Sequence, residues 1–474
     1  MHAPSTQPDW SGLHVHFVAV GGIGMSALAK IAHARGAIVT GCDGADGPML
    51  AELRRCGVTC LVGHSPDHLK GIQLVVYSTA VPQDCPELVE ARRLRIPIIS
   101  RGKLLAWLQR GCETVAVAGT HGKTTTTWIV ANMLVRCGLD PTVAVGGTVA
   151  DFGGNARVGA GSLFVTEADE SDRSFLLLRP TYPLITNIDA DHHDHYPGGL
   201  EEIKKAFVEF VDHTADGGAL IACADSPAVR DIRNQIRTRT ITYGIGRADV
   251  RAENVRLLPG RAVYDVTLSS GTVRDVVLSL PGTHNLLNSL AALALAEELD
   301  LPLDTVLEAF AHTARVDRRL ERRGVEHGVS VYDDYAHHPA EIAATLAAAR
   351  MLADNRLIGV FQPHRYSRTL HLHQQFGPAF DELDLLIIAP IYAASETPVE
   401  GVSAKLIADQ IQKQGHVPCE LTPSLDPVPD RLLPELAEGD TVITLGAGDV
   451  WRVGDALLEK MKRAGIGHAA DAAG

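Results

Sequence analysis

The 474-residue chain has no apolar run of the roughly 20 residues that a membrane-crossing helix needs. Its opening stretch, MHAPSTQPDWSGLH, lacks the positive segment and apolar core of a secretory leader. Cysteine is sparse: Cys42, Cys56, Cys60, Cys85, Cys112, Cys137, Cys223 and Cys419 are scattered with no C-x-x-C pair. That pattern suits a reducing cytoplasm better than a disulfide framework. No low-complexity tract and no internal repeat is evident. Lysine and arginine number 43 against 57 aspartates and glutamates, interspersed, for a net charge of -14. This balance argues against a general nucleic-acid or anionic-membrane surface. A cytoplasmic protein that binds neither is expected.

What the chain does have is an apolar fraction of 46%, enough to give each of about three domains a core. Short apolar strands alternate with helical patterns, which predicts α/β domains with parallel sheets covered by helices. HVHFVAV, AIVTGCD, QLVVYSTAV and IPIIS read as strands of a first, Rossmann-like domain. A second series runs from Thr114 through SLFVTEADE, YPLIT and GALIACAD to the helix NLLNSLAALALAEEL, as in a P-loop ATPase-like domain. A third, Rossmann-like series carries GVSVYDD, RLIGVFQ, LDLLIIAPIY and TVITLGAG. Joints near Gln109 and Thr313 give domains of residues 1–109, 110–313 and 314–474.

Six stretches carry chemistry. VAVGGIGM (Val18–Met25) is a degenerate dinucleotide-type turn, with Ala19 where the first glycine usually stands and Asp43 at the end of the next strand. Such a turn aims backbone N–H groups at a phosphate, and it serves NAD enzymes as well as other nucleotide binders. GTHGKTTT (Gly119–Thr126) follows an apolar strand and opens a helix. Its amides can form a nest for phosphate oxygens, Lys123 supplies a compact cation, and Thr124 can offer a hydroxyl to Mg²⁺. VTEADESD ends a strand with Glu167, where open α/β sheets bind ligands. NIDADHHDHY packs three aspartates and three histidines between Asp189 and His195; the donor types allow zinc or, beside a nucleotide, magnesium. In the third domain, DDYAHHPAE and FQPHRYSR place His337, His364 and Arg365 after strands, where an arginine fork suits a carboxylate or phosphate.

Together, HFVAVGGIGMSALA, STAVPQDCPELVEAR, AGTHGKTTTT, EADESD, TNIDADHHDHY, GTHNLLN, DDYAHHPAE and FQPHRYSRT resemble, in order, the muramyl ligases, ATP-dependent amide-forming enzymes of bacterial cell-wall precursor synthesis. The likeness spans essentially the whole chain. The family's phosphate loop is the short G-x-x-G-K-T form, so Val117 is no defect in a longer motif.

The resemblance implies ATP and Mg²⁺ as cofactors and, among its members, activity on UDP-N-acetylmuramate and L-alanine. It implies that Gly119, Thr120, His121, Gly122, Lys123, Thr124 and Thr125 cradle the ATP phosphates, with Asn285, Asn288, Arg319 and Asp334 on the nucleotide. Thr124, Glu167 and His192 would hold metal, and Lys123, Glu167, His192, Arg319 and Asp334 would carry catalysis. Gly21, Gly22, Ile23, Gly24, Asp43, Ser78 and Thr79 would take the UDP-sugar, and His337, His364 and Arg365 the amino acid. Some sister ligases bridge magnesium with a carbamoylated lysine; the matching position is Phe207, with Lys204 and Lys205 nearby. Ala19 and Thr283 depart from the family pattern. A recycling ligase that attaches a preformed tripeptide, a non-catalytic nucleotide-binding paralogue and an NAD dehydrogenase are the alternatives. A monomer or weak homodimer is expected.

Overall fold

The computed structural model describes residues 9–191, 195–313, 316–394, 396–414 and 417–471, arranged around three sheets. The first contains β1 (His14–Val18), β2 (Ile38–Asp43), β3 (Thr59–Val62), β4 (Leu74–Tyr77) and β5 (Ile98–Ser100). All pairings are parallel, in the order β3-β2-β1-β4-β5. The order reverses at β1, which leaves a crevice beyond its carboxyl end. The glycine turn sits there.

The second sheet has ten strands: β6 (Glu113–Ala118), β7 (Thr142–Val149), β8 (Gly154–Arg157), β9 (Leu163–Glu167), β10 (Tyr182–Ile185), β11 (Leu220–Cys223), β12 (Thr240–Gly244), β13 (Val250–Leu258), β14 (Arg261–Leu268) and β15 (Gly271–Leu278). β6 lies between β9 and β10, parallel to both, with Val117 opposite Glu167 and Ala118 opposite Ile185. This register delivers the phosphate loop, Glu167 and the residues after β10 to one edge. The expectation of parallel strands alone needs correction here. β13 runs parallel to β12, but β14 and β15 fold back as antiparallel hairpins, and β8 is antiparallel to β7. Two-residue connections, Pro259–Gly260 and Ser269–Ser270, leave no room for the crossover helix that parallel pairing demands.

The third sheet holds β16 (Glu321–Glu326), β17 (Val329–Asp334), β18 (Leu357–Phe361), β19 (Leu385–Ile388), β20 (Cys419–Leu421) and β21 (Thr441–Leu445), ordered β16-β17-β21-β18-β19-β20. Only β16 is antiparallel to its neighbour. Asp334 ends β17, and His337 and His364 follow the carboxyl ends of β17 and β18.

Packing divides the molecule unevenly. Trp107 and Leu28 of the first domain share one continuous apolar cluster with Phe164, Phe175 and Phe207 of the second. Beyond Val316, which joins the second domain's apolar cluster, the third domain keeps its own clusters on the two faces of its sheet, around Phe361 and Phe380 and around Val331 and Val442. It meets the second domain through polar contacts instead: Arg368 donates to both Asp191 oxygens at 3.3 and 3.0 Å, and His121 faces Glu341. All eight cysteines are free thiols. No helix among the described residues is long and apolar enough to cross a membrane.

Candidate active site

The phosphate loop is tied down from β10's side. The backbone N–H of His121 donates to Asn187 Oδ1 at 2.8 Å, and its carbonyl accepts from Thr186 Oγ1 at 2.6 Å and Asn187 Nδ2 at 3.0 Å. Thr120 adds a bond from its N–H to the Asn187 carbonyl at 3.2 Å. Gly119 has φ +135°, and a Cβ there would lie 2.1 Å from Thr186 Oγ1. Glycine is required on both counts. The helix Lys123–Arg136 then starts without a side-chain cap, so the N–H groups of its first turn remain available to an anion.

Lys123 Nζ donates to the Gly119 carbonyl at 2.6 Å and to both oxygens of buried Glu170 at 2.9 Å. Burial alone would lower the lysine pKa, but Glu170 and Asp169 outweigh it and hold the group above its usual value. His121 is pinched between Glu341 Oε1 (3.1 Å from Nδ1) and Asp189 Oδ2 (3.2 Å from Nε2). Burial opposes its charge, yet the two carboxylates raise it to about 9. The loop therefore carries two cations at neutral pH.

Glu167 accepts from the Gly146 N–H at 2.6 Å and is hydrogen-bonded to the Thr124 side chain. Desolvation pushes its carboxyl above the ordinary range despite those bonds and Lys123. Burial would raise Asp169 too, but Arg101, 3.0 Å away, and Lys123 keep it well below its usual value. A threonine hydroxyl beside crowded carboxylates is a hard-oxygen donor set, which fits Mg²⁺ rather than a thiophilic ion. His192, the third expected metal ligand, lies outside the described residues.

A cavity of about 820 Å³ connects the three domains, with Gly24 and Arg101 from the first, Lys123 and Glu167 from the second, and Arg319 and His337 from the third on its wall. A second cavity of about 260 Å³ adjoins it across His121, Gly122 and Arg319, and gathers Thr125, Asn285, Asn288 and Asp334. Asp334 accepts from the Leu320 and Ala336 N–H groups at 2.6 and 2.7 Å, and burial raises it to about 6. Asn285 Nδ2 donates to the Pro281 carbonyl, and Asn288 reaches Asn285 Oδ1 at 3.4 Å. Burial also brings His284, beside them, down to about 4.

The first-domain residues are more dispersed. Ile23 and Gly24 reach the large cavity, whereas Gly21, Gly22, Asp43, Ser78 and Thr79 are not on its wall. Asp43 Oδ2 is occupied by the Gly21 N–H at 2.9 Å, and Thr79 donates to Asp172 of the second domain at 3.3 Å. In the third domain, only His337 of the three expected amino-acid contacts lines the cavity. His364 packs edge-on against His337 with ring centres 5.5 Å apart, and Arg365 stands just before the helix Tyr366–Leu372 without a side-chain cap bond. Burial lowers His337 to about 4. Its Nδ1 faces the Tyr335 carbonyl at 2.9 Å, so Nδ1 carries the proton and Nε2 is an acceptor. Phe207 is fully buried against Phe175, and Lys204 is engaged by Glu201 and Asp231.

Three contributors were not singled out from the sequence. Glu170 stood inside the motif EADESD without a role. Arg101 begins a helix, where a cation opposes the dipole; that mismatch was a readable hint of an anion nearby. Glu341 occupies the third helical position after His338 and completes a capping box, another readable pattern. Its partnership with His121, 220 residues away, had no local signal.

Three family models match in succession: "Mur ligase family, catalytic domain" over residues 14–111, "Mur ligase middle domain" over 117–296 and "Mur ligase, glutamate ligase domain" over 318–448. A UDP-N-acetylmuramate–L-alanine ligase from Pelobacter propionicus is 44% identical over 95% of this chain and 98% of its own. The crystal structure of UDP-N-acetylmuramate-alanine ligase MurC from Thermotoga maritima superposes with a TM-score of 0.81 at 29% identity, over 95% of this chain and all of that one. A murein peptide ligase from Psychrobacter arcticus shares the fold with a TM-score of 0.72 at 24% identity, covering 95% and 99% of the two chains.

Proposed function

The chain belongs to the Mur ligase family, and from that premise we propose that it joins L-alanine to the carboxylate of UDP-N-acetylmuramate, converting ATP to ADP and phosphate. One observation carries the reading: a single cavity brings the glycine turn, the phosphate loop and His337 within reach of one bound substrate pair. The 44% identity to an alanine-adding relative supports the choice of amino acid.

The chemistry follows from charge. A carboxylate resists attack until it carries a better leaving group, and transfer of the γ-phosphoryl group makes it an acyl phosphate. The amine of alanine then adds, and the tetrahedral intermediate expels phosphate. Lys123 and His121 neutralise the transferring group, with the first-turn amides of the helix Lys123–Arg136 holding it in line. Glu170 must release Lys123 when ATP enters, and the phosphates replace its carboxylate as partner. Thr124 and Glu167 would hold Mg²⁺, which supplies charge neutralisation at the phosphates when bound. Asn285, Asn288 and Asp334 take the nucleoside in the smaller cavity, with Arg319 between the two. His337 presents neutral Nε2 to the incoming ammonium group, and His364 supports its ring edge-on, with Arg365 next to His364 in the chain. The first-domain turn takes the UDP end, with Asp43 fixing the turn and Arg101 available for the acidic substrate. The third domain, joined near Thr313, closes through His121 and Asp191 and excludes water from the acyl phosphate.

Phosphate release with ATP, Mg²⁺ and UDP-N-acetylmuramate tests this, with L-alanine, glycine, L-serine or the recycling tripeptide as acceptor and product masses checked. We expect alanine-dependent release, a product heavier by one alanyl residue, and near-complete loss in Lys123→Ala. Glycine should trail by roughly the 10-fold or more that one methyl group confers. Release with tripeptide alone would reassign the chain to recycling, and silence with all four would make it a non-catalytic paralogue.

A further inference from the structure

Away from both cavities, five side chains of the first domain converge on one carboxylate. Glu87, at the start of the helix Pro86–Leu94, is fully buried. It accepts from Cys42 Sγ at 3.2 Å, Cys85 Sγ at 3.0 Å and the Ser65 N–H at 2.9 Å. His68 Nδ1 lies 3.0 Å and His64 Nδ1 3.3 Å from it. His16, on β1, is fully buried beside them. Its Nδ1 is 2.8 Å from Thr40 Oγ1, and its Nε2 has no hydrogen-bond partner among the described residues. Buried polar atoms are rarely left so.

Ligand atoms of His16, Cys42, His68 and Glu87 all lie within 4.8 Å of one another. We propose that these four residues form a site for one divalent cation of the zinc class. Bonds of about 2.3 Å to sulfur and about 2.0–2.1 Å to nitrogen and oxygen put tetrahedral ligands roughly 3.3–3.6 Å apart. The 3.2 Å between Cys42 and Glu87 and the 3.0 Å between His68 and Glu87 need only slight expansion. With Nδ1 donating to Thr40 Oγ1, the role an outer partner plays in a metal site, Nε2 of His16 is left to ligate. A thiol with two imidazoles selects zinc over magnesium. Charge also closes: one thiolate, one carboxylate and two neutral imidazoles balance a divalent ion. The ion displaces the Cys42 proton to solvent, and nothing is oxidised. His64 and Cys85 form a second trio with Glu87. Cys42 immediately precedes Asp43, whose carboxylate holds Gly21, so the cation would brace the glycine turn without touching the reacting groups.

Co²⁺ loading of the full chain tests the site, because a thiolate–cobalt charge-transfer band arises only from a cysteine ligand. We expect one equivalent with that band, displacement by Zn²⁺, a raised melting temperature, and zinc in the chain as purified. Cys42→Ser should abolish the band, Cys85→Ser should keep it, and His16→Gln should weaken binding at least tenfold. Glu167→Gln, which removes an oxygen donor from the ATP cavity, should leave it intact. Absence of the band in the unmodified chain at excess Co²⁺ would overturn the proposal even if a variant failed to fold. So would a band that survives Cys42→Ser or depends on Cys85.

Discussion

Two glycine turns occupy the same topological position in neighbouring domains, and they are built differently. The first, Ala19 to Gly24, follows β1 where the strand order reverses; the second, Gly119 to Gly122, follows β6 at the equivalent reversal. Asp43 holds the first through one amide, and Ile23 at its tip is 36% exposed. The second is held at Thr120 and His121 by Thr186 and Asn187, and its two cations are held by Glu170, Asp189 and Glu341. A turn that grips the handle of a substrate needs only amides facing solvent. A turn that positions a phosphoryl group in flight must be fixed before the substrate arrives, since misplacement near 1 Å costs about 100-fold in rate.

Adding one methyl group to each turn should separate the two most sharply. At Gly119 the new Cβ meets Thr186 Oγ1 at 2.1 Å, in a backbone region that L-residues rarely adopt. Gly119→Ala should lower kcat/KM for ATP by about 100-fold or more. Gly22 has φ -63°, and its nearest Cβ contact would be the Ala19 carbonyl at an ordinary 3.6 Å. Gly22→Ala should keep ATP kinetics within about twofold and stability within about 0.5 kcal/mol. Steady-state kinetics with each substrate varied, beside thermal melts, checks both. Equal losses in the two variants would erase the distinction.

That contrast also marks how far the sequence could be read. The βα pattern, both turns and the placing of Lys123, Glu167 and His337 beside one cavity were legible because each rests on local periodicity or a compact motif. The domain order followed from the succession of motifs. The hairpins of β13 to β15 were missed, although alternation in RAVYDVTL and a Pro-Gly turn were there to be weighed. The anchoring of the phosphate loop was not legible. Asn187 stood in a motif noticed for its aspartates and histidines, and nothing in TNID shows that its amide will hold the backbone of His121. Glu341 was hidden for a related reason: one carboxylate both caps its own helix and pairs with a loop in another domain. Such double use exists only after the domains dock.

The docked pair sets a pH dependence. His121 titrates at about 9 in the folded protein against an ordinary 6.5. Its stabilising charge is therefore complete below pH 6.5 and is lost as pH climbs through about 9, an effect of about 3 kcal/mol at most. Much of that loss should fall on closure of the third domain, because Glu341 belongs to it and Asp189 does not. Small-angle scattering between pH 6.5 and 9.5 should record expansion of the ligand-free chain, and Glu341→Gln should shift the transition to lower pH. A radius of gyration constant across that range in both proteins would remove His121 as a latch.

The smallest effect is expected at Ala19, which adopts φ 64°, a left-handed conformation that suits glycine. Holding alanine there costs about 1–2 kcal/mol. Ala19→Gly relieves that strain but frees the unfolded chain, which costs about 0.5 kcal/mol. It also removes a methyl packed against the cluster of Val18, Cys42 and Leu69, a loss of similar size. The balance is a gain of about 0.5 kcal/mol, or about half a degree in melting temperature for a chain of 474 residues. Calorimetry of the two proteins decides the sign. A gain with unchanged UDP-sugar KM would show that the first turn tolerates local strain because it is loosely held. A loss above about 1 kcal/mol would mean that the methyl's packing outweighs the backbone, and that this turn too is braced from beneath by the residues around Cys42.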